Sequence, residues 1–91
     1  MKRKKPVTRS AADGDDYAVF IALLTTVRKE KQVTQTILAE RLDRLQSWVA
    51  KVEAGSRRID AVELIAILDA LKVDLIDFFS RLRRQLRRAV R

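Results

Sequence analysis

The sequence predicts an all-α chain, a compact five-helix bundle with basic extensions at both ends, and three observations carry that expectation. Apolar residues make up 47% of the chain, mostly Leu, Ile, Val and Ala, which is enough to pack an interior. Two Gly and one Pro offer few turning points, and this composition favours helices over a sandwich or barrel. Apolar residues recur at three- and four-residue intervals behind candidate capping residues. At 91 residues the chain has room for one core.

Residues 1–14 mix Lys and Arg with Pro6, Ser10, Asp13 and Gly14 without an apolar period, and read as a mobile basic arm. Asp15 or Asp16 can cap a first helix whose Phe20, Leu23, Leu24 and Val27 share one side. That helix runs to about Lys31, where Lys29 and Lys31 suit its negative end. Thr34 caps a second helix, 35–42, with Leu38, Ala39 and Leu42 turned inward. After Asp43-Arg44-Leu45 comes a third helix, 46–53, stopped by Gly55. Asp60 caps a fourth, 61–71, with Leu64, Ile65, Ile67, Leu68 and Leu71 as a broad apolar surface. Asp74 caps a fifth, in which Leu75, Ile76, Phe78, Phe79 and Leu82 can close the core. The organisation expected is an arm at 1–14, a domain at 15–80 and a basic helical tail at 81–91.

The net charge of +8 lies at the ends. Residues 1–10 carry five cations and 81–91 carry six, whereas 11–80 hold nine Lys/Arg against all twelve acids. A polyanionic partner is implied, with any selectivity supplied by the middle. Without Cys or His there is no disulfide and no Cys/His zinc site. No secretory leader pattern and no stretch of 18 apolar residues is present, so a cytoplasmic protein is expected, associated with the nucleoid when bound to DNA. An enzyme is the weakest class, because phosphate loops, HExxH patterns and an isolated carboxylate pair are all missing; no cofactor is expected.

On the third helix, Gln46, Ala50, Ser47 and Lys51 span an arc of about 140°, with Val49 and Val52 opposite. An outer face with an amide, a hydroxyl, a small residue and a cation suits base edges. Gln pairs with adenine, Lys donates to guanine, and Ala50 admits close approach to a thymine methyl. Trp48, beside the buried arc, has two readings. It either packs partly on the core or lies along the DNA backbone with its indole N–H free for a phosphate.

The runs VRKEKQVTQTILAERL and QSWVAKVEAGSRRIDAVELIAILDALKVDLIDFF resemble the lambda-repressor-like (Xre/Cro-type) helix-turn-helix regulators of bacteria and their phages. The resemblance covers about residues 17–79. It implies a five-helix domain that binds operator DNA as a homodimer and regulates transcription. It also implies base contacts at Gln46, Ser47, Ala50 and Lys51, and backbone contacts at Gln35, Trp48, Arg57 and Arg58. Gln32, Asp43 and Lys72 stand where the family usually has turn glycines, Leu45 replaces a capping residue, and Ile37 occupies a normally polar position.

Leu75, Phe79, Leu82, Leu86 and Val90 step by fours and threes, a coiled-coil-like seam flanked by arginines. Dimer support, or phosphate contact through Arg83, Arg84, Arg87 and Arg88, is the favoured use. An anionic membrane surface or a solubilising tail are the others, with no membrane partner expected. An antitoxin-type module is the alternative function. It would hold a small protein partner on the Ile37 and Phe78-Phe79 regions and regulate itself through DNA.

Overall fold

The computed structural model describes residues 9–90, with side chains over 16–88. Five helices follow in order: α1 Arg9–Glu30, α2 Gln35–Leu42, α3 Gln46–Glu53, α4 Ala61–Leu71 and α5 Leu75–Val90. The expected bounds of α2, α3 and α4 hold because their ends are written locally. Thr34 Oγ1 accepts the Ile37 N–H at 3.0 Å. Asp60 and Glu63 form a reciprocal capping box, at 2.8 and 3.0 Å. The Asp74 carboxylate accepts the Asp77 N–H at 3.0 Å in the same way.

Four helices end in one device. The N–H groups of Gln32, Asp43, Gly55 and Lys72 turn back to the carbonyls of Lys29, Glu40, Val52 and Asp69. Those of Val33, Arg44, Ser56 and Val73 reach one residue further back, to Arg28, Ala39, Lys51 and Leu68. This is the Schellman closure, which needs a left-handed residue. Only α3 uses glycine there; Gln32, Asp43 and Lys72 adopt φ of 58°, 55° and 58°.

Two expectations are corrected. The first helix begins at Arg9, not after Asp15 or Asp16, so the part of the expected arm from Arg9 to Gly14 is helical. Residues 1–8 of that arm lie outside the described residues. In α5 it is Phe78, 1% exposed, that enters the core, while Phe79 is 44% exposed and Ile76 is also outside. Ile65 on α4 is likewise exposed. Adjacent helical residues sit about 100° apart, and α5 is turned so that Phe78 points into the core while Phe79 lies at its edge.

The core joins Ile21, Leu23, Leu24 and Val27 of α1 to Leu38, Ala39, Val49, Val52, Leu64, Ile67, Leu68, Leu71, Phe78 and Leu82. Edge-on aromatic contacts run from Tyr17 to Phe20 (5.5 Å), Phe20 to Phe78 (6.1 Å) and Phe78 to Phe79 (5.9 Å), tying α5 to α1. Arg81 adds a two-pronged bond to Glu30, at 2.9 and 3.1 Å. With Leu82 buried and Leu86 half-buried, α5 passes residue 80 unbroken and its first tail turn belongs to the bundle. Leu82 therefore serves its own core and is not free for a dimer seam.

Candidate nucleic-acid interface

The α2–α3 corner rests on Ala39, which is buried where the two helices pack. Asp43 makes the left-handed bend, and Leu45 starts α3 in an extended conformation with no side-chain cap. Val49 and Val52 are buried beneath α3. Gln46, Ser47 and Lys51 are therefore exposed together, and Ala50 is half-buried between them. That disposition is the one expected from the 100° spacing.

Beneath this face lies a hydrogen-bonded chain that sequence reasoning missed. Arg28 of α1 donates from Nε and Nη2 to Glu53 of α3, at 2.6 and 3.0 Å, and from Nη1 to the Val33 carbonyl at 2.8 Å. Both side chains are 9% exposed. Glu53 Oε1 also accepts from Gln35 Nε2 at 2.9 Å, and Gln35 Oε1 accepts from Gln46 Nε2 at 2.8 Å. The chain thus runs from the interior to the tip of α3. A signal for it existed: Arg28 falls on the inner phase of α1 beside Leu24 and Val27, and Glu53 follows Val49 and Val52 in the same phase. A charge on an apolar stripe calls for a partner.

A second cluster surrounds Trp48. Its indole packs on the core, and Nε1 is buried without a hydrogen-bond partner. Of the two readings of Trp48, packing on the core is the one the structure shows, and the buried N–H is not presented to a phosphate. Instead Arg44, also unforeseen, lies over the ring at 4.2 Å, and Arg57 approaches it at 5.4 Å. Glu63 holds both guanidiniums, Arg57 Nη1 at 2.8 Å and Arg44 Nη2 at 3.5 Å. The Arg57 guanidinium, helped by the Asp60 N–H, keeps the Glu63 carboxyl below its usual range; Glu63 in turn raises Arg57. Arg58 is exposed, its guanidinium 4.0 Å from the Tyr17 ring centroid.

The structure thus brings Gln35, Gln46, Ser47, Ala50 and Lys51 to one corner, with Arg57 on the ring of Trp48 beside it. Arg83, Arg84, Arg87 and Arg88 are exposed on α5, which packs on α1. Among the described residues no Asp/Glu group could hold a metal, and no helix is long and apolar enough to cross a membrane.

Residues 20–77 match a family described as a helix-turn-helix domain. Among solved structures, the chain is similar to an XRE-family like protein from Pseudomonas syringae pv. tomato str. DC3000, with 29% identity and a TM-score of 0.80. The match covers 86% of this chain and 95% of that one. No match was found among curated proteins.

Proposed function

The chain belongs to the helix-turn-helix domain family, of the XRE/Cro type, and from that premise we propose that it regulates transcription by laying α3 in the major groove of a specific duplex. One observation carries this reading. Gln46, Ser47 and Lys51 stand exposed over buried Val49 and Val52, and Gln46 is already held by Gln35. Gln35, at the start of α2, keeps one amide N–H for a phosphate, Arg44 and Arg57 lie at the ring of Trp48 on α3, and Arg58 is exposed in the loop that follows α3. Backbone contacts of this kind fix register, while the α3 side chains select bases.

Selection from random duplexes by the full chain should return a discrete motif. Replacing Gln46 and Lys51 with Ala should cost about 1–3 kcal/mol for each bidentate pairing removed and relax preference at the bases concerned. Retention of full discrimination by the double variant refutes the assignment of α3.

A homodimer reading a roughly palindromic site completes the proposal, with half-sites about one helical turn apart. Exposed Ile76 and Phe79 on α5 support this surface. Sedimentation of the wild type and of Phe79→Asp tests it, and a monomeric wild type at the concentrations of DNA binding refutes it. Ile37 near the start of α2 and Leu45 ahead of α3 are exposed apolar residues, and they favour the antitoxin-type alternative. A small protein retained on the chain through purification, and released by Ile37→Lys, distinguishes it.

A further inference from the structure

We propose that Glu63 stands in for a DNA phosphate in the free protein, holding Arg44 and Arg57 at the ring of Trp48, and so limits how tightly any duplex is bound. The inference rests on the reading of α3 as the helix that meets the duplex. Trp48 belongs to that helix, and the two guanidiniums lie 4.2 and 5.4 Å from its ring centroid. Carboxylate and phosphate oxygens accept from the same guanidinium N–H groups, so one Arg cannot satisfy both through the same donors. The exposures favour an exchange: the Arg44 and Arg57 side chains are 41% and 40% exposed, and Glu63 is more sheltered at 18%.

Arg57 is the more firmly held. Its Nη1 donates to Glu63 Oε1 at 2.8 Å and to the Arg58 carbonyl at 2.6 Å, which uses both hydrogens of that nitrogen. The fork between its two terminal nitrogens is therefore closed to a phosphate while Glu63 keeps it. Arg44 is looser, with Nη2 3.5 Å from the Glu63 carboxylate. Glu63 itself does not follow the guanidiniums outward. Its Oε1 accepts the Asp60 N–H at 3.0 Å and its own N–H donates to the Asp60 carboxylate at 2.8 Å, which pins it to the first turn of α4. That turn is the positive end of the helix and keeps the acid stabilised when the cations leave. A phosphate thus takes the guanidiniums from Glu63 and does not share them with it.

Glu63→Gln separates charge from structure. Gln keeps an acceptor for the Asp60 N–H, so the capping box survives while the charge is lost. Glu63→Ala is the second variant, since Asp60 still accepts the backbone N–H at that position. Thermal melts establish that each is folded. Dissociation constants of the full chain are measured by fluorescence anisotropy across a salt series, for a duplex selected by the chain and for an unrelated one. Arg57→Gln is compared in the wild type and beside Glu63→Gln, as a double-mutant cycle.

The expected result is severalfold tighter binding of both duplexes by Glu63→Gln, with their ratio unchanged because a backbone contact carries no base information. The salt slope steepens by about 0.9 for each phosphate newly taken up. Arg57→Gln costs more affinity beside Glu63→Gln than in the wild type. A purely structural role for Glu63 predicts weaker binding instead, since loss of the ion pair would only loosen the corner. The proposal is overturned by unchanged or weaker binding in the folded variants of Glu63, or by an Arg57→Gln effect that shrinks beside Glu63→Gln. In either case the carboxylate braces the arginine for its phosphate. Gln46→Ala with Lys51→Ala, measured alongside, tests the reading of α3 separately, and full discrimination retained there removes that reading and the proposal with it.

Discussion

Replacing Gln32 with glycine should stabilise the protein, and the size of the gain follows from three features of the turn. Gln32 sits at φ 58°, where a side chain crowds the carbonyl, costing about 1–2 kcal/mol for an L-residue. Glycine removes that cost but loosens the unfolded chain, returning roughly 0.4–1 kcal/mol. The net gain is about 0.5–1 kcal/mol, or about 2–8 °C in Tm for a domain of this size. The same closure at α2 and α4 is a less clean test. Asp visits the left-handed region more readily, so Asp43 has less strain to relieve, and Lys72→Gly forfeits a cation at the negative end of α4. The control is Gly55→Ala at φ 81°, where an added Cβ meets nothing within 4 Å. Any loss there is conformational, on the order of 1 kcal/mol. Thermal melts followed by circular dichroism at 222 nm, with urea titrations beside them, give both values. A Tm for Gln32→Gly that is unchanged or lower refutes the argument.

Glu53→Ala should cost about 3–5 kcal/mol in urea unfolding because Arg28 is left charged and buried. Arg28→Met combined with Glu53→Leu should recover most of that loss, and a double variant as unstable as the single one would contradict this. Replacing Arg83, Arg84, Arg87 and Arg88 with Gln should lower affinity for all duplexes and reduce the salt slope by about 0.9 for each phosphate no longer neutralised. Deletion of 81–91 is not an equivalent test, since it removes the Arg81–Glu30 bonds and buried Leu82. Acid should weaken the fold through Glu30 and Glu63, both lowered chiefly by their Arg partners, Arg81 and Arg57. A lowered folded-state value contributes stability above the unfolded glutamate value, and that contribution disappears as pH falls through the folded value. In acid titrations, Glu30→Gln with Glu63→Gln should flatten the pH dependence of stability, and an unchanged slope would show that these pairs do not contribute.

What was legible in the sequence is what is encoded within four or five residues. Thr34, Asp60 and Asp74 each cap the helix that follows, and the placing of Val49 and Val52 fixes the exposed arc of α3. Phase along α5 was not legible. Leu75, Phe79, Leu82 and Leu86 form an acceptable stripe, and so do Leu75, Phe78 and Leu82; packing against other helices, including Phe20 on α1, selects Phe78. The start of α1 was hidden by Asp13 and Gly14, which read as breakers but cost a helix only about 1 kcal/mol for the glycine. Arg28 and Glu53 are separated by 25 residues, and no local rule connects them. Arg44 reads as a linker residue in the sequence, because its place on Trp48 depends on Glu63, from another helix.

These interactions also bear on how affinity and selection are divided on the proposed reading. An acid at the end of a DNA-facing helix would repel phosphates, and Glu53 is instead neutralised from within by Arg28. Glu63 has the opposite effect, holding Arg44 and Arg57 to itself and to the Trp48 ring, so a phosphate must compete for them. On α3 that leaves Lys51 as the cation among the residues read as base contacts. A domain built this way gains little from nonspecific attraction in its middle, where acids outnumber cations. Most of the nonspecific attraction must then come from the basic ends, while the amides and Lys51 of α3 decide which sequence is kept. Salt should therefore weaken binding to all duplexes more strongly than it narrows the gap between the selected duplex and the rest.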